Sequence, residues 1–247
     1  MERSRNLVFL IVLVSFIGCT PSSENGVRKA SVAQPKELLI EKMSDVTPGA
    51  SNNQVALDPA TRTIIRSYGS TIRRYADKYG FDWRLVVAIM EVESGFSVAA
   101  ESEKGASGLM QIMPATSQEV GQKLEIEDMS HPMNNIHGGI YYLARLYRLF
   151  EGANQDDRVR LTLAAYNAGV GRIYDAQEVA AYFQENPTKW QAVRDALPLL
   201  SKRYYTLHRN IWLQEKPRSG WFGSSRETIA YVEKIMKSYD EYRQTLN

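Results

Sequence analysis

Two carboxylic acids two residues apart, Glu91 and Glu93, close the segment Asp82–Ser94 (DWRLVVAIMEVES). Along a helix successive side chains turn by about 100°, so the two acids face nearly opposite ways. Glu91 falls on the side of Arg84 and reads as part of a wetter face. Glu93 falls one and two turns after Ile89 and Val86, with Leu85, Met90 and Val92 flanking it. A carboxylate in an apolar stripe loses hydration, which disfavours its charged form and raises its pKa. The last helical turn adds the negative end of the backbone dipole, which acts in the same direction. A carboxylic acid that keeps its proton near neutral pH is what general-acid cleavage of a glycosidic bond requires. Helix geometry alone leaves a second reading open, in which Glu93 ends its helix in solvent.

Other residue types with chemical capacity follow. Gly105 and Gly108 permit a tight turn and a close approach of bare backbone to a ligand. Gln111 sits among apolar neighbours, while Met110 and Met113 read first as core. Tyr166 and Asn167 end an apolar stretch, Leu161–Ala165, and read as a core tyrosine followed by helix-terminating residues. Glu227 and Tyr231 lie one turn apart and share a helix face. Ser102 reads as a loop serine. The three histidines, His131, His137 and His208, have no His, Cys or acid at metal-ligand spacing, so the sequence calls for no metal and no cofactor.

The elements that must position these groups are helical. Asp58-Pro59 caps a first helix, with Ile64, Ile65, Tyr68, Ile72 and Tyr75 at helical spacing. Asp82 caps a second, over 83–94, which Gly95 stops. The pattern predicts further helices from Pro114 to about Val120, from Asn134 or Asn135 to about Phe150, and from about Asp157 to Ala168. It also predicts helices over 176–185, 189–196, 199–211 and 226–245. Residues 96–110 have room for a short irregular hairpin around Gly105 and Gly108. The expected fold is mainly α, a single domain with at most that small hairpin. The aromatic residues of 204–222 read as packing, with sugar stacking as their other use.

Of 247 residues, 30 are Lys or Arg and 28 are Asp or Glu, a net charge of +2 that gives no argument for nucleic acid as a partner. Cys19 is the only cysteine, which excludes a disulfide within the chain. Arg3 and Arg5 precede an apolar run, Leu7–Ile17, too short to span a bilayer and suited to an export signal. The run ends in Phe16-Ile17-Gly18-Cys19, which resembles the lipobox of bacterial lipoproteins, although Phe16 stands where Leu is usual. The other reading is an ordinary secretory signal with a chance cysteine. The lipobox resemblance implies cleavage before Cys19, acylation of Cys19 and attachment to a membrane. Thr20 in place of Asp then favours the periplasmic face of the outer membrane. Residues 1–18 are thus expected to be a signal peptide. Residues 19–57, rich in Ser, Asn, Gln, Pro and Gly, are expected to be a flexible tether, with Lys36–Met43 as a possible short helix. Residues 58–247 are the expected folded domain.

The segment Glu93-Ser94-Gly95-Phe96, then Ser102, then Gly105-Ala-Ser-Gly-Leu-Met-Gln-Ile-Met-Pro114 resembles, without a gap, the signature of the lytic transglycosylases. Ala165-Tyr-Asn-Ala-Gly169 is a second match, and Glu227-Thr228 with Tyr231-Val232 a third. The stretch Trp190–Val193, Leu197–Leu200 and Tyr204-Tyr205 is similar to membrane-bound members. The chain departs from them in having no room for the periplasmic-binding-protein-like module that precedes their catalytic one, and in a longer segment over 209–225 with Trp212, Trp221 and Phe222.

The resemblance implies a goose-type-lysozyme-like fold and an enzyme that cuts the glycan strands of peptidoglycan, leaving 1,6-anhydromuramoyl ends. It implies Glu93 as the catalytic acid and then base. It implies Ser102, Gln111, Met113, Tyr166, Asn167, Glu227 and Tyr231 as residues lining the substrate cleft. Two other functions are kept beside it: a hydrolytic muramidase on the same fold, and a non-catalytic peptidoglycan-binding lipoprotein.

Overall fold

A computed structural model describes residues 57–246. The segments expected to be a signal peptide and a tether, with Cys19, lie outside the described residues as far as residue 56. Nine α-helices make up most of the described chain: α1 (Pro59–Tyr79), α2 (Trp83–Ser94), α3 (Pro114–Leu124), α4 (Pro132–Arg148), α5 (Gln155–Ala168), α6 (Val170–Tyr182), α7 (Trp190–Ala196), α8 (Tyr205–Ile211) and α9 (Ser225–Thr245). Among the described residues there is no strand, only the isolated antiparallel bridges Glu101–Ser107 and Ser107–Ile112. The hairpin expected over 96–110 is reduced to these two bridges. Among the described residues no helix is long and apolar enough to cross a membrane.

α2 runs through the middle of the domain. Leu85 is 3% exposed and every residue from Val86 to Met90 is fully buried. α2 packs against α9 and α1, α4 packs on α1 and α5, and α5 also meets α6 and α9. The ends of the first two helices follow from their sequence. The Asp58 carboxylate accepts the backbone N–H groups of Ala60 and Thr61, Pro59 occupies the first helical position, and Gly80 ends α1 at φ 78°. The Asp82 carboxylate accepts the N–H of Arg84 at 2.9 Å, and Gly95 ends α2 at φ 56°.

Several expected boundaries move. α3 continues a turn beyond Val120, to Leu124, where Glu125 ends it at φ 57°. α4 begins at Pro132, capped by His131, so Asn135 lies inside the helix and not at its start. α6 begins at Val170, six residues before the expected Ala176, because Gly169 both ends α5 and starts α6. The single helix expected over 199–211 is three pieces: 3₁₀ turns at Leu197–Leu200 and Lys202–Tyr204, then α8. Ser201, extended at φ −69° and ψ 145°, separates them. Leu57, expected as the last residue of the tether, packs against the core.

Glu91 does not occupy the wetter face expected of it. Arg84 turns to Asp82 and to the Leu246 carbonyl, and Glu91 is half-buried with its Oε2 closed off and without a hydrogen-bond partner. The second acid is therefore a packing group at the junction of α2 with α9. Burial raises the Tyr242 phenol above its ordinary value, and the Glu91 charge pushes in the same direction.

Candidate active site

Glu93 stands in the last turn of α2, one residue before Ser94. The Tyr231 hydroxyl of α9 donates to its Oε1 at 2.5 Å. Burial raises the pKa of Glu93 to about 7, and the Tyr231 hydrogen bond pulls it part of the way back. An acid balanced in this way still keeps a large protonated fraction at neutral pH and has a donor ready to stabilise the charge once the proton has left. Burial, with the Glu93 charge added, raises the phenols of Tyr231 and Tyr166 well above their ordinary value, so both remain neutral donors.

The loop from Ala100 to Ile112 is joined to the end of α2 and is held by its own hydrogen bonds. The Ser94 hydroxyl donates to Met90 O at 3.0 Å and to Leu109 O at 3.1 Å, joining the end of α2 to the loop. Gly108 N–H donates to Ala100 O at 2.9 Å. Gln111 has left-handed backbone, φ 46°, unusual for a residue with a Cβ. Its Nε2 donates to Ala100 O and Gly108 O, both at 3.0 Å, so this side chain braces the loop and leaves only Oε1 for a ligand. Asn135 of α4 accepts the Met110 N–H at 2.9 Å and donates to Ser107 O at 3.0 Å.

The other expected site residues fall into two groups. Tyr166 is brought beside Glu93, and its hydroxyl donates to Met110 O at 2.7 Å, so its proton is committed to the loop and not to the acid. Its ring also packs on Tyr142, with centroids 5.5 Å apart. Asn167 is exposed at the end of α5, and its Oδ1 accepts from the Thr228 hydroxyl at 2.8 Å, which leaves its NH₂ facing outward. Thr228 precedes Tyr231 by three residues on α9, so α5 and α9 meet at both positions.

Ser102 uses its hydroxyl to accept the Ala106 N–H at 2.9 Å, closing a turn in the loop. Met113 is 42% exposed at the start of α3. Glu227 is exposed in the first turn of α9. Among the described residues no hydrogen bond or ion pair joins Ser102, Met113 or Glu227 to Glu93.

The aromatic-rich segment divides. Trp212 and Phe222 are buried and serve packing, whereas Tyr205 and Trp221 are 55% and 46% exposed. Buried Asp175 of α6 holds the segment by accepting the N–H groups of Arg218 and Ser219.

Residues 70–188 match the transglycosylase SLT domain, a span that contains Glu93, the loop, Asn135 and Tyr166. Through that span the chain is similar to the transglycosylase SLT domain family. The SLT match stops short of α9, and two similar proteins align over more residues than that match spans. The chain is 34% identical over 184 residues to membrane-bound lytic murein transglycosylase F of Desulfosudis oleivorans, covering 74% of this chain and 37% of that protein. It is 30% identical over 211 residues to the protein of the same name from Cellvibrio japonicus, covering 84% of this chain and 39% of that protein. The chain thus spans under two fifths of the length of these relatives. The lytic transglycosylase Slt of Pseudomonas aeruginosa, solved as an inactive mutant, shares the fold with a TM-score of 0.51 at 24% identity, over 76% of this chain and 28% of that one. The SLT fold is the lysozyme-like, mainly α fold expected from the sequence.

Proposed function

We propose that the chain is a peptidoglycan lytic transglycosylase with Glu93 as its acid and base. The SLT domain and the relatives named lytic murein transglycosylases support this reaction class. The observation that carries the residue assignment is the pairing of Glu93 with Tyr231: a partly buried acid near pKa 7 with a phenol donor.

The steps follow from that pairing. Glu93 gives its proton to the glycosidic oxygen between N-acetylmuramic acid C1 and the next sugar, and the C1–O bond breaks. The 2-acetamido oxygen of the muramic acid captures the positive charge at C1, so no second protein carboxylate is needed. The Glu93 carboxylate, stabilised by Tyr231, takes the proton of the C6 hydroxyl of the same sugar. O6 then attacks C1 and displaces the acetamido oxygen, an intramolecular step that gains from proximity. The product carries a 1,6-anhydro ring, Glu93 is again protonated, and no water is consumed. The outward NH₂ of Asn167, Oε1 of Gln111 and the exposed Met113 side chain are the groups offered to the glycan. Ser102 and Glu227 line the outer cleft in this reading.

The finer location belongs to the same reading. Relatives described as membrane-bound support a place in the bacterial cell envelope. Cleavage before Cys19 and acylation of Cys19 would fix the domain, through the segment 19–56, to the periplasmic face of the outer membrane. Each buried methylene of such a chain contributes about 0.8 kcal/mol, and two or more chains make the attachment stable.

The test is the mass of the products. Purified sacculi digested with the protein should yield muropeptides with 1,6-anhydro ends. Reducing ends, 18 mass units heavier by one water, would instead support a hydrolytic muramidase, and intact sacculi a binding protein without activity.

A further inference from the structure

α4 carries a buried amide that the proposed reaction does not use. Asn135 is 1% exposed inside the helix. A buried amide costs free energy unless both of its ends are paired. Here both are, and both partners belong to the loop: Oδ1 takes the Met110 N–H and Nδ2 gives to the Ser107 carbonyl. The loop backbone lies close against this amide. A Cβ at Gly108 would stand 2.6 Å from the Asn135 Cγ and Nδ2, and one at Gly139 would stand 2.6 Å from the Met110 Cβ. Two positions four residues apart on α4 thus receive Gly108 and Met110 and fix how deeply the loop sits.

The Met110 residue is held on its other side as well. Its carbonyl takes the single proton of the Tyr166 hydroxyl. Tyr166 lies within electrostatic reach of Glu93. As long as that proton is given to Met110, Tyr166 turns only lone pairs elsewhere.

We propose that Asn135 is a positioning residue for Glu93: by fixing Met110 it keeps the Tyr166 proton turned away from the acid. The titratable groups facing Glu93 are Tyr231 from α9 and Tyr166 from α5, and no cation or second acid acts on it from the loop or from α4. Among the described residues Glu93 therefore has one donor. Release of Met110 frees the Tyr166 proton to become a second, which favours the ionised form and weakens the acid's hold on its proton near neutral pH.

This inference rests on Glu93 being the acid of the proposed reaction, but its test needs no turnover. The carboxyl of Glu93 is titrated by NMR in the full chain labelled with ¹³C-glutamate, as wild type, Asn135→Ser, and Asn135→Ser with Tyr166→Phe. The wild-type midpoint should lie at about 7. Asn135→Ser should lower it by about one unit, the worth of one hydrogen bond to a charged group. The double variant should return it to the wild-type value or above, because Phe has no proton to give.

A midpoint unmoved by Asn135→Ser overturns the proposal. So does an equal fall in the double variant, which would mean that water simply enters a loosened loop. Amide exchange at Met110 in the wild type gives a reading without any substitution: protection supports the clamp, and exchange as fast as in an open loop overturns it. Should Glu93→Gln retain full turnover, the reaction assignment fails while these titrations still stand on their own.

Discussion

Tyr231 lies 138 residues from Glu93 in sequence, and its hydroxyl donates to the Oε1 of that acid at 2.5 Å. Burial and this one donor act on Glu93 in opposite directions. Replacing Tyr231 by Phe removes the opposing influence and leaves burial, so the pKa of Glu93 should rise further. The general acid must be protonated, so activity falls as pH passes upward through that pKa. The basic limb of the pH–rate profile of Tyr231→Phe should therefore move to higher pH. The maximal rate should fall about tenfold or more, because the carboxylate formed in the first step loses a hydrogen bond to a charged group. A basic limb unmoved or moved to lower pH would separate Tyr231 from the acid.

The same burial predicts a cost in stability. The folded chain holds the Glu93 proton with a pKa of about 7, against an ordinary value of 4.5. A group whose folded pKa is raised contributes stability that is fully present below the unfolded value and is lost as pH rises through the folded one. Above pH 7 the folded chain therefore contains a poorly hydrated charge, at a cost on the order of 3 kcal/mol. Glu93→Gln never ionises. Its urea midpoint should exceed that of the wild type at pH 8 and approach it at pH 4. An equal difference at both pH values would contradict the burial of this charge.

Gly108 should tolerate no side chain. Its φ of 77° disfavours a Cβ, and the Cβ would meet the Asn135 amide at 2.6 Å. Gly108→Ala should cost about 1–3 kcal/mol in unfolding free energy. Activity should fall by more than the unfolded fraction explains, because the loop beside Glu93 is displaced. Gly80→Ala serves as the control. It has a similar φ of 78° but open space around the added Cβ, and it should cost stability while sparing turnover of the folded chain.

What the sequence reveals of this site follows from how local each interaction is. Asp82, the apolar run to Met90 and Gly95 are neighbours in sequence, so α2 and the apolar surroundings of Glu93 are legible from periodicity. The hydrogen bond from Tyr231 is not, because nothing local says that α9 returns to α2. Asn135 misleads for a related reason. Asn is common at helix starts, and only the loop packed against α4 makes it an interior residue with both amide ends paired.

The sequence offers Tyr166 as an expected cleft residue but does not reveal its partner. The Met110 carbonyl becomes an acceptor only after the loop has folded onto α5. Glu91 went astray because helical geometry pairs it with Arg84, whereas Arg84 has a nearer acid in Asp82. α6 starts earlier than the sequence pattern predicts, because Gly169 is both the stop of α5 and the start of α6.

The central claim is that one buried side chain gives up its proton and later takes one back. Sacculi incubated with wild type and with Glu93→Gln, their muropeptides counted by mass, test it most directly. The wild type should release anhydromuramoyl products with a rate that declines above about pH 7. The Gln variant, with its circular dichroism and melting unchanged at acidic pH, should release them at least ~10³-fold more slowly. Release by that variant at a rate close to the wild type would contradict the account.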